Sequence, residues 1–263
     1  MANIGMSTSC YYPLETEKSL EKVCKLGFKN VEMFINSYGE LKEPFVSEYK
    51  RLINEYGINL VSVHTTASLA DGYNYFSDYY RRFEESIEEF KKHIDLANEL
   101  GSKYLVMHGI KKAMRSSDQL YFERFSILTD IAFENGVSLL QENVVNFRSE
   151  SPDYIKRMKE SIGDKFGITL DIKQCRRAGE DPYEFIERFH DIIKHVHISD
   201  FDEYNDCITP LKGNFDFEKF FGAMNEYGYD GSYIIELYKK SYSDENEIKN
   251  AGIELEKILK RAD

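Results

Sequence analysis

The sequence lacks most features that mark secreted, membrane-bound or nucleic-acid-binding proteins. Its 263 residues contain four scattered cysteines, with no CxxC pair and no zinc-ribbon spacing, so we expect reduced thiols in a cytoplasmic protein. No segment is apolar for long enough to span a bilayer, and the N-terminus has neither the basic nor the apolar region of a signal peptide. The formal net charge of −12 opposes loose binding to DNA, RNA or anionic membranes. We therefore expect a cytoplasmic protein with no nucleic-acid or membrane partner.

Amphipathic helices and short apolar runs alternate from one end of the chain to the other. Predicted helices end at a glycine, and a β-rich run follows within a few residues; Gly27, for example, precedes Val31–Phe34. The helices carry apolar residues at the 3.6-residue period, as at Phe83, Phe90 and Ile94. The runs themselves are apolar rather than alternating, which is typical of parallel strands covered by helices.

This alternation predicts eight strands and eight helices, with the first strand near residues 3–7 and the last near 231–236. No linker or change in composition divides the chain, so we predict one domain over residues 1–263. A doubly wound open sheet would alternate in the same way. However, no GxGxxG or GxxxxGK[ST] motif follows the first strand, and polar residues end at least six different strands. The prediction is an α/β fold, a single (β/α)8 TIM barrel.

Four polar residues end four successive apolar runs: Glu142, Asp171, His197 and Glu236. In a parallel barrel the C-terminal ends of the strands surround one small volume. Three carboxylates and one imidazole converging there suit one divalent cation. His195 lies two residues before His197, on the same side of the strand but deeper, and we interpret it as a packing residue or as a support for the ligand.

Glu142 and Glu236 are also candidate catalytic residues. They lie three strands apart, so each could bind the metal through one oxygen and exchange a substrate proton through the other. Such a pair suits proton abstraction next to a carbonyl, because the metal stabilises the enediolate that forms. The structural alternative is a pair of buried carboxylates in salt bridges with lysine or arginine.

Other polar residues near the predicted barrel mouth are candidates for substrate binding. Glu32, His64 and His108 end the second, third and fourth strands and could bind substrate hydroxyls, support the metal ligands, or simply be hydrogen-bonded mouth residues. Arg148 and Lys173 lie in predicted downstream loops and could meet a phosphate or carboxylate of the substrate.

The connection after His64 is predicted to be a long loop, from Thr65 to about Asp78. It carries Tyr73, Tyr75 and Phe76. Aromatic side chains above a barrel mouth are consistent with a lid that stacks on a sugar-like ligand, and equally with an oligomer contact. The sequence leaves both readings open.

Taken together, these segments resemble the xylose isomerase-like TIM barrels, a superfamily of sugar phosphate isomerases/epimerases and family 2 AP endonucleases. The resemblance covers nearly the full chain and rests on Val31–Met33, Val63–His64, Met107–Gly109, Leu140–Asn143, Leu170–Asp171, His195–Asp200, Gly213–Phe217 and Ile235–Glu236. It implies that Glu142, Asp171, His197 and Glu236 hold one divalent ion, usually Mn, Mg or Co; Zn is a further candidate. It also implies that the glutamates at 142 and 236 deliver and remove the proton, as in ketose 3-epimerases.

Two positions depart from that resemblance. The family commonly has a histidine three residues after the aspartate, which touches the substrate in epimerase-like members, whereas here Asp171 is followed by Ile172, Lys173 and Gln174. The DNA-repair members also carry an Asp-x-His pair after the seventh strand, but here Asp206 is followed by Cys207 and Ile208. We therefore expect no abasic-site endonuclease activity, and Gln174 becomes a candidate substrate-binding residue.

The sequence thus predicts a divalent-metal-dependent isomerase or epimerase of a small sugar, sugar acid or ketose, with or without a phosphate group. The same site could instead eliminate water, as in an inosose-type dehydratase. A third hypothesis is a sugar-binding barrel that has lost turnover through the Lys173-Gln174 change. Assembly into a homo-oligomer is left open.

Overall fold

Eight parallel strands form a closed barrel in the computed structural model, which describes residues 2–67 and 69–262. Neighbouring strands pair in sequence order, and β8 closes the barrel by pairing with β1. The strands are β1 Asn3–Ser7, β2 Asn30–Phe34, β3 Asn59–His64, β4 Tyr104–Met107, β5 Ser138–Glu142, β6 Gly167–Asp171, β7 Ile193–Ile198 and β8 Ser232–Ile235. The predicted single (β/α)8 TIM barrel is confirmed.

The described residues contain ten α-helices, two more than the sequence predicted. They are α1 Thr16–Leu26, α2 Phe45–Tyr56, α3 Leu69–Phe76, α4 Tyr80–Glu99, α5 Asp118–Glu134, α6 Pro152–Ile162, α7 Ile172–Ala178, α8 Pro182–Phe189, α9 Phe217–Glu226 and α10 Glu245–Ala262. Four short 3-10 helices accompany them, at Thr8–Tyr11, Tyr38–Leu41, Arg148–Glu150 and Lys239–Ser241. The additional helices α3 and α7 each precede a second helix within the same connection between strands.

The predicted helix ends are present in the structure. Gly27 and Gly57 close α1 and α2 with φ of 98° and 59°, a backbone conformation that side chains with a β-carbon rarely adopt. Ser151 caps α6 by accepting the backbone N–H of Tyr154, and Pro152 occupies the first helical position. These local signals set where each helix stops and the next strand begins.

The apolar core lies between the barrel wall and the surrounding helices. Leu20 and Val23 of α1 and Phe90 and Ile94 of α4 are almost completely buried there. The inside of the barrel is different, because polar side chains meet across it: Glu32 of β2 contacts histidines of β7, although these two strands are not neighbours. Polar groups inside a closed barrel need partners, and one oxygen of Glu32 supplies a partner to both histidines.

The segment predicted as a long loop after His64 contains helix α3. Ser68 of that segment lies outside the described residues. Tyr75 and Phe76 are buried, with exposures of 3% and 1%, and only Tyr73 of the three predicted lid aromatics is largely exposed, at 59%. Their spacing brings Tyr75 and Phe76 against the core beneath α3, so they do not form a mobile aromatic lid.

The four cysteines are buried and free, as expected for reduced thiols. No helix among residues 2–67 and 69–262 combines the length and the apolar character needed to cross a bilayer.

Candidate metal centre and active site

Four side chains from four consecutive strands converge at the C-terminal end of the barrel. Glu142 and Asp171 end β5 and β6, His197 lies near the end of β7, and Glu236 follows β8 directly. One ligand atom of each lies within 4.8 Å of the others. The His197 Nδ1 atom is 3.5 Å from a Glu142 oxygen, 3.7 Å from a Glu236 oxygen and 4.0 Å from an Asp171 oxygen. We refer to these four residues as the cage.

The cage has the chemistry expected of a divalent-cation site. Two of its buried atoms, Asp171 Oδ2 and His197 Nδ1, take part in no hydrogen bond with the described residues, although the Lys173 ammonium lies 3.1 Å from the former. Buried polar atoms without hydrogen bonds are costly, and these two face the same small volume. Three carboxylates and one imidazole suit a metal such as Mn²⁺, Mg²⁺ or Co²⁺. The residues present therefore fit the ion that the sequence predicted.

Glu32 fixes the orientation of the His197 ring. Its Oε2 atom lies 2.9 Å from His197 Nε2 and 3.0 Å from His195 Nε2, and it accepts the Ser62 hydroxyl at 2.8 Å. Burial lowers the pKa of His197, but the carboxylates of Glu32 and Glu236 outweigh it and hold that pKa well above its usual range. With Nε2 committed to Glu32, Nδ1 is the atom left for a metal.

The position predicted for Glu32 was wrong in one respect. It lies in the middle of β2 and not at its end, two residues before Phe34. It is consequently below the mouth, inside the barrel and fully buried, where it contacts His197 and not the mouth cavity.

The two carboxylate oxygens of Asp171 have different partners. Its Oδ1 atom caps α7 by accepting the backbone N–H groups of Lys173 at 2.7 Å and Gln174 at 3.1 Å, which leaves Oδ2 for the cage. The Asn143 side chain forms two hydrogen bonds with the Asp171 backbone: it accepts the Asp171 N–H and donates to the Asp171 carbonyl. Burial, together with the neighbouring carboxylates of Glu142 and Glu236, raises the pKa of Asp171 to about 7 against the opposing effect of Lys173.

Glu142 lies among three imidazoles. One oxygen is 3.3 Å from His64 Nε2 and 3.1 Å from His108 Nε2, and the other faces His197. His64 is oriented by the hydrogen bond that its Nδ1 atom forms with the Thr65 carbonyl, at 2.7 Å. Burial alone would raise the pKa of Glu142, but the imidazoles, His108 foremost, hold it well below its usual range. Glu142 is therefore an ionised carboxylate, available as a ligand or a base.

Glu236 has a different neighbour, the ammonium group of Lys173. The Lys173 Nζ atom lies 2.5 Å from Glu236 Oε2, and the Ser9 hydroxyl donates to the other oxygen at 3.5 Å. Lys173 was predicted to lie in a loop, yet it occupies the first turn of α7 and is buried. Burial lowers the pKa of an ammonium, but Asp171 and Glu236 outweigh it and raise that of Lys173 well above its usual range.

The remaining predicted substrate-binding residues have separate locations. Gln174 lies at the mouth, where its side-chain amide oxygen accepts the Val145 backbone N–H at 3.2 Å. The Arg148 guanidinium is turned away, towards Asp118 at 2.8 Å and the Met114 carbonyl at 2.7 Å. The structure therefore brings Gln174 to the cage entrance but does not bring Arg148 there.

A cavity of about 580 Å³ opens directly above the cage, and we refer to it as the mouth cavity. Besides Glu142 and Glu236, aromatic side chains line it: Phe34, Tyr38, Tyr12 and Tyr238. A second cavity of about 540 Å³, the outer cavity, shares Thr66, Ala67, His108, Gln174 and Tyr238 with it. This aromatic lining was not predicted from the sequence, although Phe34 ends β2 and Tyr238 follows Glu236 by two residues.

The fold agrees with the comparison with known families. A family model described as xylose isomerase-like TIM barrel matches residues 20–260. The chain belongs to this family. Among curated family relatives, inosose dehydratase from Lacticaseibacillus casei is 25% identical over 255 residues, covering 84% of this chain and 81% of that protein.

Two solved structures share the fold over nearly their whole length. A D-tagatose 3-epimerase-like protein has a TM-score of 0.78 at 24% identity and covers 99% of this chain and 96% of its own. An L-ribulose 3-epimerase has a TM-score of 0.80 at 19% identity, with coverages of 100% and 96%. The similar proteins thus include both sugar epimerases and a dehydratase.

Proposed function

We propose that this protein is a divalent-metal-dependent isomerase or epimerase of a small sugar, sugar acid or ketose. The observation that carries the proposal is the cage, in which three carboxylates and the His197 Nδ1 atom converge, and this buried nitrogen lacks a hydrogen bond with the described residues. A divalent ion held by the cage would polarise a substrate carbonyl and stabilise the negative charge that develops when a neighbouring proton leaves.

The two cage glutamates supply the proton transfer. They approach the mouth cavity from β5 and β8, on different sides of the barrel, so one removes the proton on one face of the substrate and the other returns it on a different face or carbon. In the metal-free protein, His64 and His108 keep Glu142 ionised, and Lys173 has the same effect on Glu236. The aromatic walls and Gln174 bind and orient the sugar and exclude water from it.

A second candidate is a dehydratase on the same site. It is favoured by the difference between the two glutamates, because only Glu236 is paired with an ammonium group, and a positive charge beside the cavity stabilises a departing hydroxide. The similarity to inosose dehydratase from Lacticaseibacillus casei supports it as well. The epimerase proposal is preferred because two carboxylates from different strands border the same cavity.

The deciding experiment is proton exchange between solvent and substrate. Wild-type protein supplied with Mn²⁺ is incubated in deuterated water with a panel of ketoses, sugar acids and inososes, and C–H exchange is followed by NMR. We expect exchange in the wild type and its loss, by about a hundredfold or more, in Glu142→Gln and Glu236→Gln. Glu150→Gln is the matched control, because Glu150 pairs with Lys112 outside the cage.

The outcomes separate the hypotheses. Exchange with an epimerised or isomerised product supports the proposal, whereas an unsaturated product that absorbs in the ultraviolet establishes the dehydratase. Sugar binding with no exchange across the panel would contradict both enzyme hypotheses and favour a binding barrel.

A further inference from the structure

The most unusual feature of the cage is the amino group inside it. The Lys173 side chain is only 4% exposed, and its Nζ atom lies 2.5 Å from Glu236 Oε2 and 3.1 Å from Asp171 Oδ2. Its position is fixed by sequence, because α7 begins immediately after Asp171 and carries Lys173 in its first turn. The predicted ligand Asp171 and Lys173, two positions later, therefore lie together at the start of α7.

The ammonium binds the same atoms that a metal would need. Glu236 Oε2 and Asp171 Oδ2 are also the oxygens of those residues that lie close to His197 Nδ1, at 3.7 Å and 4.0 Å. A cation bound to His197 Nδ1 and to both carboxylates would therefore stand within a few ångströms of the Lys173 charge. Two positive charges at that separation in a buried site repel each other strongly.

We propose that Lys173 is an internal cation that competes with the divalent ion for Asp171 and Glu236, so that metal binding requires its ammonium to leave the cage. The proposal rests on the metal site of the proposed function. In the metal-free protein the ammonium compensates two of the buried carboxylates, which would otherwise destabilise the fold. The same interaction must be broken when metal enters, so Lys173 weakens metal binding.

The mouth cavity provides an alternative position for the Lys173 ammonium. Lys173 lines the mouth cavity, and its Nζ atom lies 5.3 Å from the centre of the Tyr238 ring, which is 41% exposed at the same entrance. A lysine has a flexible four-carbon stem, and an aromatic face attracts an ammonium. Rotation about the stem can therefore exchange two carboxylates for the ring and the water of the cavity without unfolding α7.

The first test is Mn²⁺ titration of Lys173→Met by calorimetry. Methionine keeps an unbranched apolar stem and removes the charge. We expect the dissociation constant for Mn²⁺ to fall at least tenfold relative to wild type, while the melting temperature of the metal-free variant also falls. Lys111→Met, in the wall of the outer cavity and next to Phe147, is the matched control and keeps the wild-type affinity.

A second measurement needs no variant. Wild-type lysines are acetylated briefly with an amine-reactive ester, with and without Mn²⁺, and each site is quantified by mass spectrometry. We expect Lys173 to react slowly without metal and several-fold faster with it, whereas Lys111 reacts at one rate throughout. Unchanged or slower labelling of Lys173 with Mn²⁺ overturns the proposal.

The two tests distinguish failure of this proposal from failure of the metal site. Wild-type protein that binds no Mn²⁺ would overturn both. Wild-type protein that binds Mn²⁺, with a folded Lys173→Met that binds it no more tightly, would leave the metal site intact and reject the competition.

Discussion

Glu32 shows how much of the cage depends on a single side chain that is not part of it. One of its oxygens contacts His195, His197 and Ser62, and the other takes part in no hydrogen bond with the described residues. Burial raises the pKa of Glu32, but His197 and His195 outweigh it and hold the carboxyl ionised, with a pKa well below its usual range. The negative charge holds the His197 ring from behind and strengthens it as a ligand.

We therefore predict that Glu32→Gln weakens Mn²⁺ binding by about 10- to 100-fold, because the amide keeps the shape and loses the charge. Calorimetric titration measures the effect. Glu21→Gln, on the exposed face of α1 where Glu21 pairs with Lys25, is the control and leaves the affinity unchanged. Equal affinity in both variants would show that other contacts orient His197.

His93 is fully buried in α4, and its Nδ1 atom lies 3.0 Å from the Glu89 backbone carbonyl oxygen. Burial lowers its pKa from 6.5 to about 4. As pH falls through 6.5, His93 becomes protonated in the unfolded chain but stays neutral in the folded protein. Stability present above that pH is therefore lost progressively down to about pH 4, by up to about 3 kcal/mol.

His93→Phe should remove this part of the pH dependence. Between about pH 7.5 and about pH 5.5 the wild type should lose about 1 kcal/mol more than the variant, measured by urea unfolding at both values. His190→Phe, at an exposed ring stacked on Tyr227, is the control and keeps the wild-type slope. If stability depended on pH equally in all three proteins, the folded protein would protonate His93 as readily as the unfolded chain does, which would contradict this prediction.

At the scale of elements, strand and helix positions could be predicted where a local signal repeats. Apolar runs located the strands, and glycines such as Gly27 and Gly57 located helix ends, because the backbone at those points has a positive φ. Helices α3 and α7 were missed because they span only eight and seven residues, too few for a 3.6-residue period to stand out, and neither has the proline that marks the start of the equally short α8.

The depth of Glu32 and the location of Lys173 could not be predicted for related reasons. The pairing of β2 with β3 shifts register between Val31 and Glu32, and register depends on the partner strand, which one segment alone does not reveal. Lys173 enters the cage because α7 starts directly after Asp171. A charged residue after a strand looks the same in sequence whether it begins a buried helix or an exposed loop.

The turn after β4 gives a prediction at this scale. Gly109 has a φ of 79°, and a β-carbon there would overlap the Tyr121 hydroxyl and approach the Gln141 Oε1 atom to 2.8 Å. Gly109→Ala should therefore destabilise the fold by about 2 kcal/mol or more in urea unfolding. Gly222→Ala, in α9 with no atom within 4 Å of the added carbon, should be neutral or stabilising by up to about 1 kcal/mol. Similar effects of the two substitutions would contradict this account.

At the scale of the whole molecule, the cage joins the ends of β5, β6, β7 and β8, half of the barrel wall. The convergence of these ends could be predicted from the sequence, because strand ends meet in any parallel barrel. The balance of charge within the cage could not be predicted, since it depends on Lys173 in the first turn of α7 and on two imidazoles from outside the cage, those of His64 and His108. Several buried carboxylates in a small volume make the folded state sensitive to any cation that neutralises them.

Metal removal should therefore change the stability of the entire barrel. An ion that binds only the folded protein stabilises it by about 2.7 kcal/mol at one hundred times its Kd. For a chain of this length that corresponds to a rise in Tm of roughly 5 to 10 °C, measured by calorimetry with Mn²⁺ and with chelator.

The cage, rather than general screening of a protein with a net charge of −12, must produce this rise. Asp171→Asn and His197→Gln each remove one ligand, so both should abolish the Mn²⁺-dependent part of the shift. Screening by the same concentration of Mn²⁺ acts on all 46 acidic side chains and would survive the loss of one. A shift of equal size in wild type and in both variants would therefore place the ion elsewhere, and the stabilising link across β5 to β8 would have to come from Lys173 alone.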